Sequence, residues 1–577
     1  MPARSSRGES LSARFNSFTL PRLSADSKFF SAATFAYAFA IISATLALNP
    51  YFAQTWDVNT FIQAARELWD GNPLDLYARS RAAQTWPYAY PPLHALVVAF
   101  ALGIGDAVRA LIGAPDFVWA RVPPLLADIG IAFLLSAIVR RKTSNAMLAR
   151  AAFLLWLFNP VTFYNTAAQA HFESEWLFFI LLAYAWMESG RGIALPALAL
   201  AVAVLFKQIA MVYALPVWIG MSLRGAAQSD ATKPRTRPNF GLWIPDFERL
   251  LLGTKLSGAF SSLLVFTLIT GAVSLPFMTY SDDYVFMNTT YVENVPVQTH
   301  SWLVAVLGLT RAAPNALTSD FFLIRSSTLI TLIAVAIISI IAARRGWSLY
   351  FTGALITLAF FLLSRKVMGY YYVMLFPFLL AEFLPRRRWD LILAALVAAS
   401  FISLSPYYAG WTNHAHWWVY AILGAASSVV WVALAGMSLR GAPFAPKQPP
   451  NSNLEIASHT PQRLAMTRTA LVVTLGMFAA AFFAALLQPF FNSTASPLRA
   501  PIIAAGLENF AWIALAALLA LTLGASALTA RFTRGLGEMP RAAYGIPVLF
   551  APLAFAVYTL TKETTAIFEM VLKALGV

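Results

Sequence analysis

The chain has no cysteine among its 577 residues, which excludes disulfides, thiolate metal sites and cysteine nucleophiles but does not fix a compartment. Charge is scarce: charged residues are 12% of the total, about half of what a soluble domain carries. Neither a Walker loop nor a Gly-rich dinucleotide fingerprint is present, so no nucleotide-binding loop is recognisable. What the chain has instead is apolar length. Hydrophobic residues make up 59% of it and its mean hydropathy is +0.65, too much to be absorbed by one large core in water. Lipid must solvate much of this surface, so the sequence is read as an all-α polytopic membrane protein.

A formal charge of +15 invites a nucleic-acid reading. The basic residues form no aromatic-lined stripe, however. They fall in short clusters between apolar runs, as expected of cytoplasmic loops, and no nucleic-acid partner is expected. These clusters are Arg140 to Lys142, Arg191, Arg224 to Lys255, Arg344 with Arg345, Arg386 to Arg388, Arg440 to Lys447, and Arg531 with Arg534. With a cytoplasmic N-terminus they all share one side. At roughly 20 apolar residues per crossing, about 13–15 spans are expected, beginning with 29–49, 119–139, 147–163 and 174–188. The opposite face then receives a large first loop, Asn49 to Val118, and shorter ones at Tyr164 to Glu173, Tyr280 to Trp302 and Ser405 to Trp417. The apolar stretch Leu93 to Ile104 is too short to cross and reads as an interfacial or re-entrant helix.

The organisation expected is a cytoplasmic disordered tail over 1–28, a membrane module over 29–439, a Pro-rich cytoplasmic linker over 440–466 and an accessory helical bundle over 467–577. Compact loops and Ala-rich spans suggest a prokaryotic plasma membrane.

The first external loop carries Trp56-Asp57-Val58-Asn59, an amphipathic stretch with Phe61, Ala64, Ala65 and Leu68 at helical spacing, and then Tyr88-Ala89-Tyr90-Pro91-Pro92-Leu93. Asp57, just past a span among aromatic residues, is either an ordinary solvated acid or a partly desolvated general base. Lys207 stands at the external end of an apolar segment, where a cation is costly unless it is paired, functional or snorkelling. Arg365 and Lys366, in Ser364-Arg365-Lys366-Val367-Met368-Gly369-Tyr370, are cations on the face where cations are otherwise scarce. His171 and Glu173, at i and i+2, make a poor metal pair and serve either to position a substrate or as a structural contact. His300 follows the acidic loop Asp282-Asp283…Glu293. His414 and His416, with Trp411, Trp417 and Trp418, read as an interfacial aromatic belt.

The run from Trp56 to Leu93 resembles the first luminal loop of the GT-C glycosyltransferases, through its early Asp, amphipathic helix, Gly71-Asn72-Pro73 turn and Tyr90-Pro91-Pro92-Leu93. Further similarities follow in order: Arg121 to Asp128, Phe158-Asn159-Pro160 with His171-Phe172-Glu173, and Leu205 to Met211. The branches most similar are the asparagine-linked-glycosylation glucosyltransferases and the glycolipid-anchor mannosyltransferases. The resemblance covers about residues 50–385. It implies an inverting hexosyltransferase that moves mannose or glucose from a polyprenyl- or dolichyl-phosphate carrier to a lipid-linked glycan or envelope polysaccharide on the external face. Asp57 would be the base that deprotonates the acceptor hydroxyl. The leaving phosphate would need cations, which Lys207, Arg365 and Lys366 would supply, while His171, Glu173, Tyr90 and His300 would position substrate. The family's His-Glu-Lys segment has no His here, which leaves the choice between Arg365 and Lys366 open.

Some relatives use a divalent metal through an Asp-x-Asp pair. Asn59 breaks that pair, so neither a metal nor another cofactor is expected. The rival reading is a lipid or solute transporter, such as a flippase. It would place ionisable groups at mid-membrane in two related halves, and no internal symmetry is visible.

Overall fold

The structure is a computed structural model that describes residues 27–52, 55–83, 85–112, 114–190, 192–228, 258–291, 297, 301–310, 322–403 and 417–440. The tail before residue 27, the basic loop 229–257, His300, the belt residues His414 and His416, the linker and the bundle 467–577 lie outside the described residues.

Among the described residues the protein is all helix, with no strand, and it is an integral membrane protein. The principal helices are α1 (Ser27–Phe52), α2 (Thr55–Asp70), α3 (Leu76–Ala83), α4 (Leu93–Ile112), α5 (Val122–Thr143), α6 (Ala146–Leu157), α7 (Glu173–Glu188), α8 (Ala194–Phe206), α9 (Met211–Gln228) and α10 (Gly258–Tyr280). They are followed by α11 (Trp302–Thr310), α12 (Ser327–Arg345), α13 (Leu349–Leu363), α14 (Leu375–Phe383), α15 (Trp389–Ser403) and α16 (Trp417–Arg440). Among the described residues, three helical stretches are long and apolar enough to cross a bilayer unaided: Asp116–Thr143, Gly258–Tyr280 and Ser327–Arg345. Ala-, Leu- and Phe-rich runs supply the helix propensity and the apolar surface.

Two expectations are corrected. The span placed at 147–163 is broken: α6 stops at Leu157, and the chain resumes at Pro160 with a bend of 45°. Proline donates no N–H and cannot continue the ladder, and the Asn159 side chain accepts from Val161 N at 2.9 Å to start the next piece. The apolar stretch ending at Ile104 continues to Ile112, giving a 20-residue helix. Gly105 lets Trp119 pack against this helix, because a Cβ there would meet the Trp119 ring at 2.7 Å. The far half of α4 carries Asp106 and Arg109, which join Arg66 of α2 and Asp116 in an exposed ion-pair cluster; Arg66–Asp116 and Arg109–Asp116 are both 2.9 Å.

Termini follow from capping. Asn145 accepts from Met147 N and Leu148 N to open α6, Ser348 accepts from Phe351 N to open α13, and Gly346 closes α12 in the left-handed conformation at φ 66°. The core is aromatic, with Tyr213 stacked on Phe378 at 5.1 Å and Trp156, Trp176 and Tyr184 fully buried.

α5 and α7 run parallel, so their polar residues sort to two ends. At one end Lys142 lies 3.8 Å from Glu188 and 3.6 Å from Glu382, and Glu382 accepts from Ser348 at 2.6 Å and binds Arg386. At the other end are Asp128, Glu173, Ser174 and Glu175. At 1.5 Å rise per residue, the 15 residues from Glu173 to Glu188 separate the two ends by about 22 Å. The basic clusters at 140–142 and 386 therefore meet at one end of the bundle, and the candidate site residues gather at the other.

Candidate functional site

The first turn of α7 organises the site. Its residues point to different helices: Glu173 binds Lys207 at the α8–α9 break, Ser174 donates to Asp128 of α5, and Glu175 lies 3.0 Å from His94 of α4. Asp128 also accepts from Tyr37 of α1 and from Thr166, each at 2.6 Å. Just before the helix, His171 Nε2 lies 3.0 Å from Asp57 Oδ2, and its Nδ1 lies 3.3 Å from Glu173 Oε2, close enough for an ion pair but out of line for a hydrogen bond.

Asp57, His171, Glu173 and Lys207 thus form one chain of groups, and with His171 protonated their charges alternate. Burial by itself would disfavour the charged imidazole, but the Glu173 and Asp57 carboxylates outweigh it and raise its pKa above the ordinary value. Three of the four side chains are almost wholly buried. Asp57 keeps 16% of its side chain exposed, which makes it the member that faces outward. Asp57 also sits in the first turn of α2, where the helix N-terminus favours a carboxylate anion.

Aromatic rings wall this chain. The Lys207 ammonium is 4.4 Å from the Tyr371 ring centroid, 4.9 Å from Phe172, 5.2 Å from Tyr370 and 5.3 Å from Tyr90. Tyr370 stacks on His171 at 3.4 Å, and Phe61, one turn after Asp57, meets the His171 ring edge-on at 5.5 Å. Lys207 itself is extended, at φ −154° and ψ 129°, because α8 ends there and its backbone turns the ammonium inward.

Lys366 stands in the loop between α13 and the 3-10 turn Gly369–Met374. It feels the Lys207 and Arg365 cations and the Asp57 carboxylate, and burial, followed by Lys207, pushes its amine down to about 8. Arg365 is buried beside it.

Residues 84–302 match the family model of the GPI transamidase subunit PIG-U. The match spans just over a third of the chain, and no curated protein matches it. Tyr90, His94, Asp128, the His171–Glu175 turn and Lys207 lie inside the matched stretch. Asp57 lies before it and Lys366 after it, so the similarity takes in the buried scaffold and leaves out the outward carboxylate and the loop cation.

Of the residues singled out from sequence, Asp57, His171, Glu173, Lys207 and Tyr90 come together, with Lys366 in electrostatic reach. His300 lies outside the described residues. Lys207 is engaged with Glu173 and four rings, so its cation is already committed within the protein. His171 presents both ring nitrogens to carboxylates, and Glu173 is shared between His171 and Lys207. Among the described residues no group of three or more His, Asp or Glu side chains is set to hold a metal.

Sequence reasoning passed over His94 and Glu175 and treated Asp128 only as part of a motif. One signal was available for Glu175: a second acid opening an apolar segment is expensive and asks for a partner.

Proposed function

We propose that the protein is an inverting glycosyltransferase that uses a polyprenyl-phosphate sugar, with Asp57 as base and Lys366, supported by Arg365, facing the donor phosphate. The reading rests on one observation: a partly exposed carboxylate, held at 3.0 Å by a buried histidine, has a loop cation within electrostatic reach. In this reaction the acceptor oxygen forms a bond to the anomeric carbon as the bond from that carbon to phosphate breaks, with the electron pair leaving on phosphate. The acceptor proton passes to Asp57. His171 holds the carboxylate in place, and Glu173 with Lys207 balances the charge behind it. Polyprenyl phosphate is already a good leaving anion, so no general acid is needed.

The test is transfer by purified protein supplied with polyprenyl-phosphate mannose or glucose and a lipid-linked glycan acceptor. Asp57→Asn should lower kcat at least about a hundred-fold while leaving the protein folded. Near-normal turnover in that variant removes Asp57 from the mechanism.

A second reading is favoured by the PIG-U similarity, which leaves Asp57 out. On it the chain is a subunit of a membrane complex and holds a lipid-linked glycan without transferring sugar. Wild-type protein that binds such a glycan tightly but turns over neither polyprenyl-phosphate mannose nor glucose would select it.

A further inference from the structure

A second histidine–carboxylate pair lies behind the first. His94 Nδ1 is 3.0 Å from Glu175 Oε2, with the side chains 0% and 4% exposed. The pair joins the first turn of α4 to the first turn of α7 and forms no part of the chain that runs from Asp57 to Lys207. Its ring is the useful part. His94 stacks on Phe172 at 3.9 Å with the planes 19° apart, and the edge of Phe61 meets it at 4.7 Å. Phe172 directly follows His171, and Phe61 lies on the Asp57 face of α2, four residues along.

His94 therefore touches the neighbours of both partners in the Asp57–His171 bond. His94 and His171 lie at 19° and 18° to the Phe172 plane, so both stack nearly parallel to it, and Phe61 meets all three edge-on, at 87° to His94, 89° to His171 and 81° to Phe172, so α2 abuts all of them. A rotation of the His94 ring would displace Phe172 on one side and Phe61 on the other. Glu175 fixes that rotation through Nδ1.

The bond is also an expensive way to fill space. The second atoms of the pair, His94 Nε2 and Glu175 Oε1, are buried and have no hydrogen-bond partner among the described residues. Apolar residues of the same volume would avoid that desolvation. What they would lack is a fixed ring plane.

We propose that His94 and Glu175 are positioning residues that hold α2 and the His171–Glu175 turn in register, and so keep Asp57 bonded to His171. The consequence for turnover rests on the transferase reading above; the consequence for structure does not. In the transfer assay, His94→Ala should lower kcat roughly ten- to a hundred-fold with the donor KM within about two-fold of wild type. His94→Phe keeps the ring against Phe61 and Phe172 and should recover part of the loss. Glu175→Gln keeps a polar partner for Nδ1 and should fall nearer wild type; it also serves as the second variant if His94→Ala does not accumulate.

Hydrogen–deuterium exchange on the full-length protein reads the positioning without any substrate. Faster exchange over 55–70 and 164–176 in His94→Ala, with 389–403 unchanged, is the expected result. Wild-type exchange over both segments would overturn the proposal, as would an equal loss in kcat for all three variants. A wild type that transfers no sugar would sink the transferase reading and leave the exchange result to decide this one.

Discussion

Lys207→Met isolates the buried end of the charge chain. In the folded protein Lys207 and Glu173 pair with 3% and 0% of their side chains exposed. Removing one partner of a buried pair strands the other, at a cost of about 3–5 kcal/mol. Glu173 would keep His171 at 3.3 Å, which places the loss at the lower end of that range. The cation also sits within 5.3 Å of four ring centroids, and losing it there costs up to about 2 kcal/mol. Methionine returns part of this through sulfur–aromatic contact. The net expectation is about 3 kcal/mol, or a little over a hundred-fold in the folded-to-unfolded ratio. Reversible unfolding of purified protein by SDS in mixed micelles, followed by tryptophan fluorescence, measures it. Adding Glu173→Gln removes the stranded charge, so the double variant should be more stable than the summed single losses by about 0.5–3 kcal/mol. A Lys207→Met protein within about 0.5 kcal/mol of wild type, or a strictly additive cycle, would refute the pairing and the charge chain with it.

Lys366 makes the proposed donor site sensitive to alkali. Its amine, ordinarily near 10.5, is lowered to about 8, so its charge is halved near that pH and falls roughly ten-fold per further unit. Donor KM should rise from about pH 8 upward, and Lys366→Met should raise KM at pH 7 and flatten that rise; a steep rise retained in the variant would assign the titration elsewhere. Gly353 abuts Phe378, whose ring would lie 2.7 Å from an added Cβ, so Gly353→Ala should cost about 1–3 kcal/mol in the same unfolding assay. Arg81 pairs with Asp283 at 2.7 Å but is 48% exposed, and Arg81→Ala should change stability by less than about 1 kcal/mol.

The helices were legible because period and length suffice to specify them. Apolar runs gave α5 and α7 within a few residues, and the segregation of basic clusters anticipated that Arg140 to Lys142 and Arg386 would share one end. Two local details defeated that reading. Pro160 broke a run whose hydropathy was continuous, and α4 ran on through Gly103, Gly105 and Asp106, where composition suggested a stop. Hydropathy averages over a window, whereas a missing N–H acts at one residue.

Within the site, residue type singled out Asp57, His171, Glu173 and Lys207, since ionisable groups in apolar surroundings are costly enough to be conspicuous. It did not tell how they were paired. Lys207 was expected to meet a ligand, and it is turned instead onto Glu173. His94 carried no local pattern, and nothing local paired it with Glu175, 81 residues away. The sequence by itself determined the solvent, the helical class and the set of groups able to carry charge, all of which depend on composition and short-range period. Only the tertiary structure decided which charge neutralises which and which carboxylate is left facing outward. Those partners come from five helices and the breaks between them, and their distances are set by packing that no short window of sequence contains.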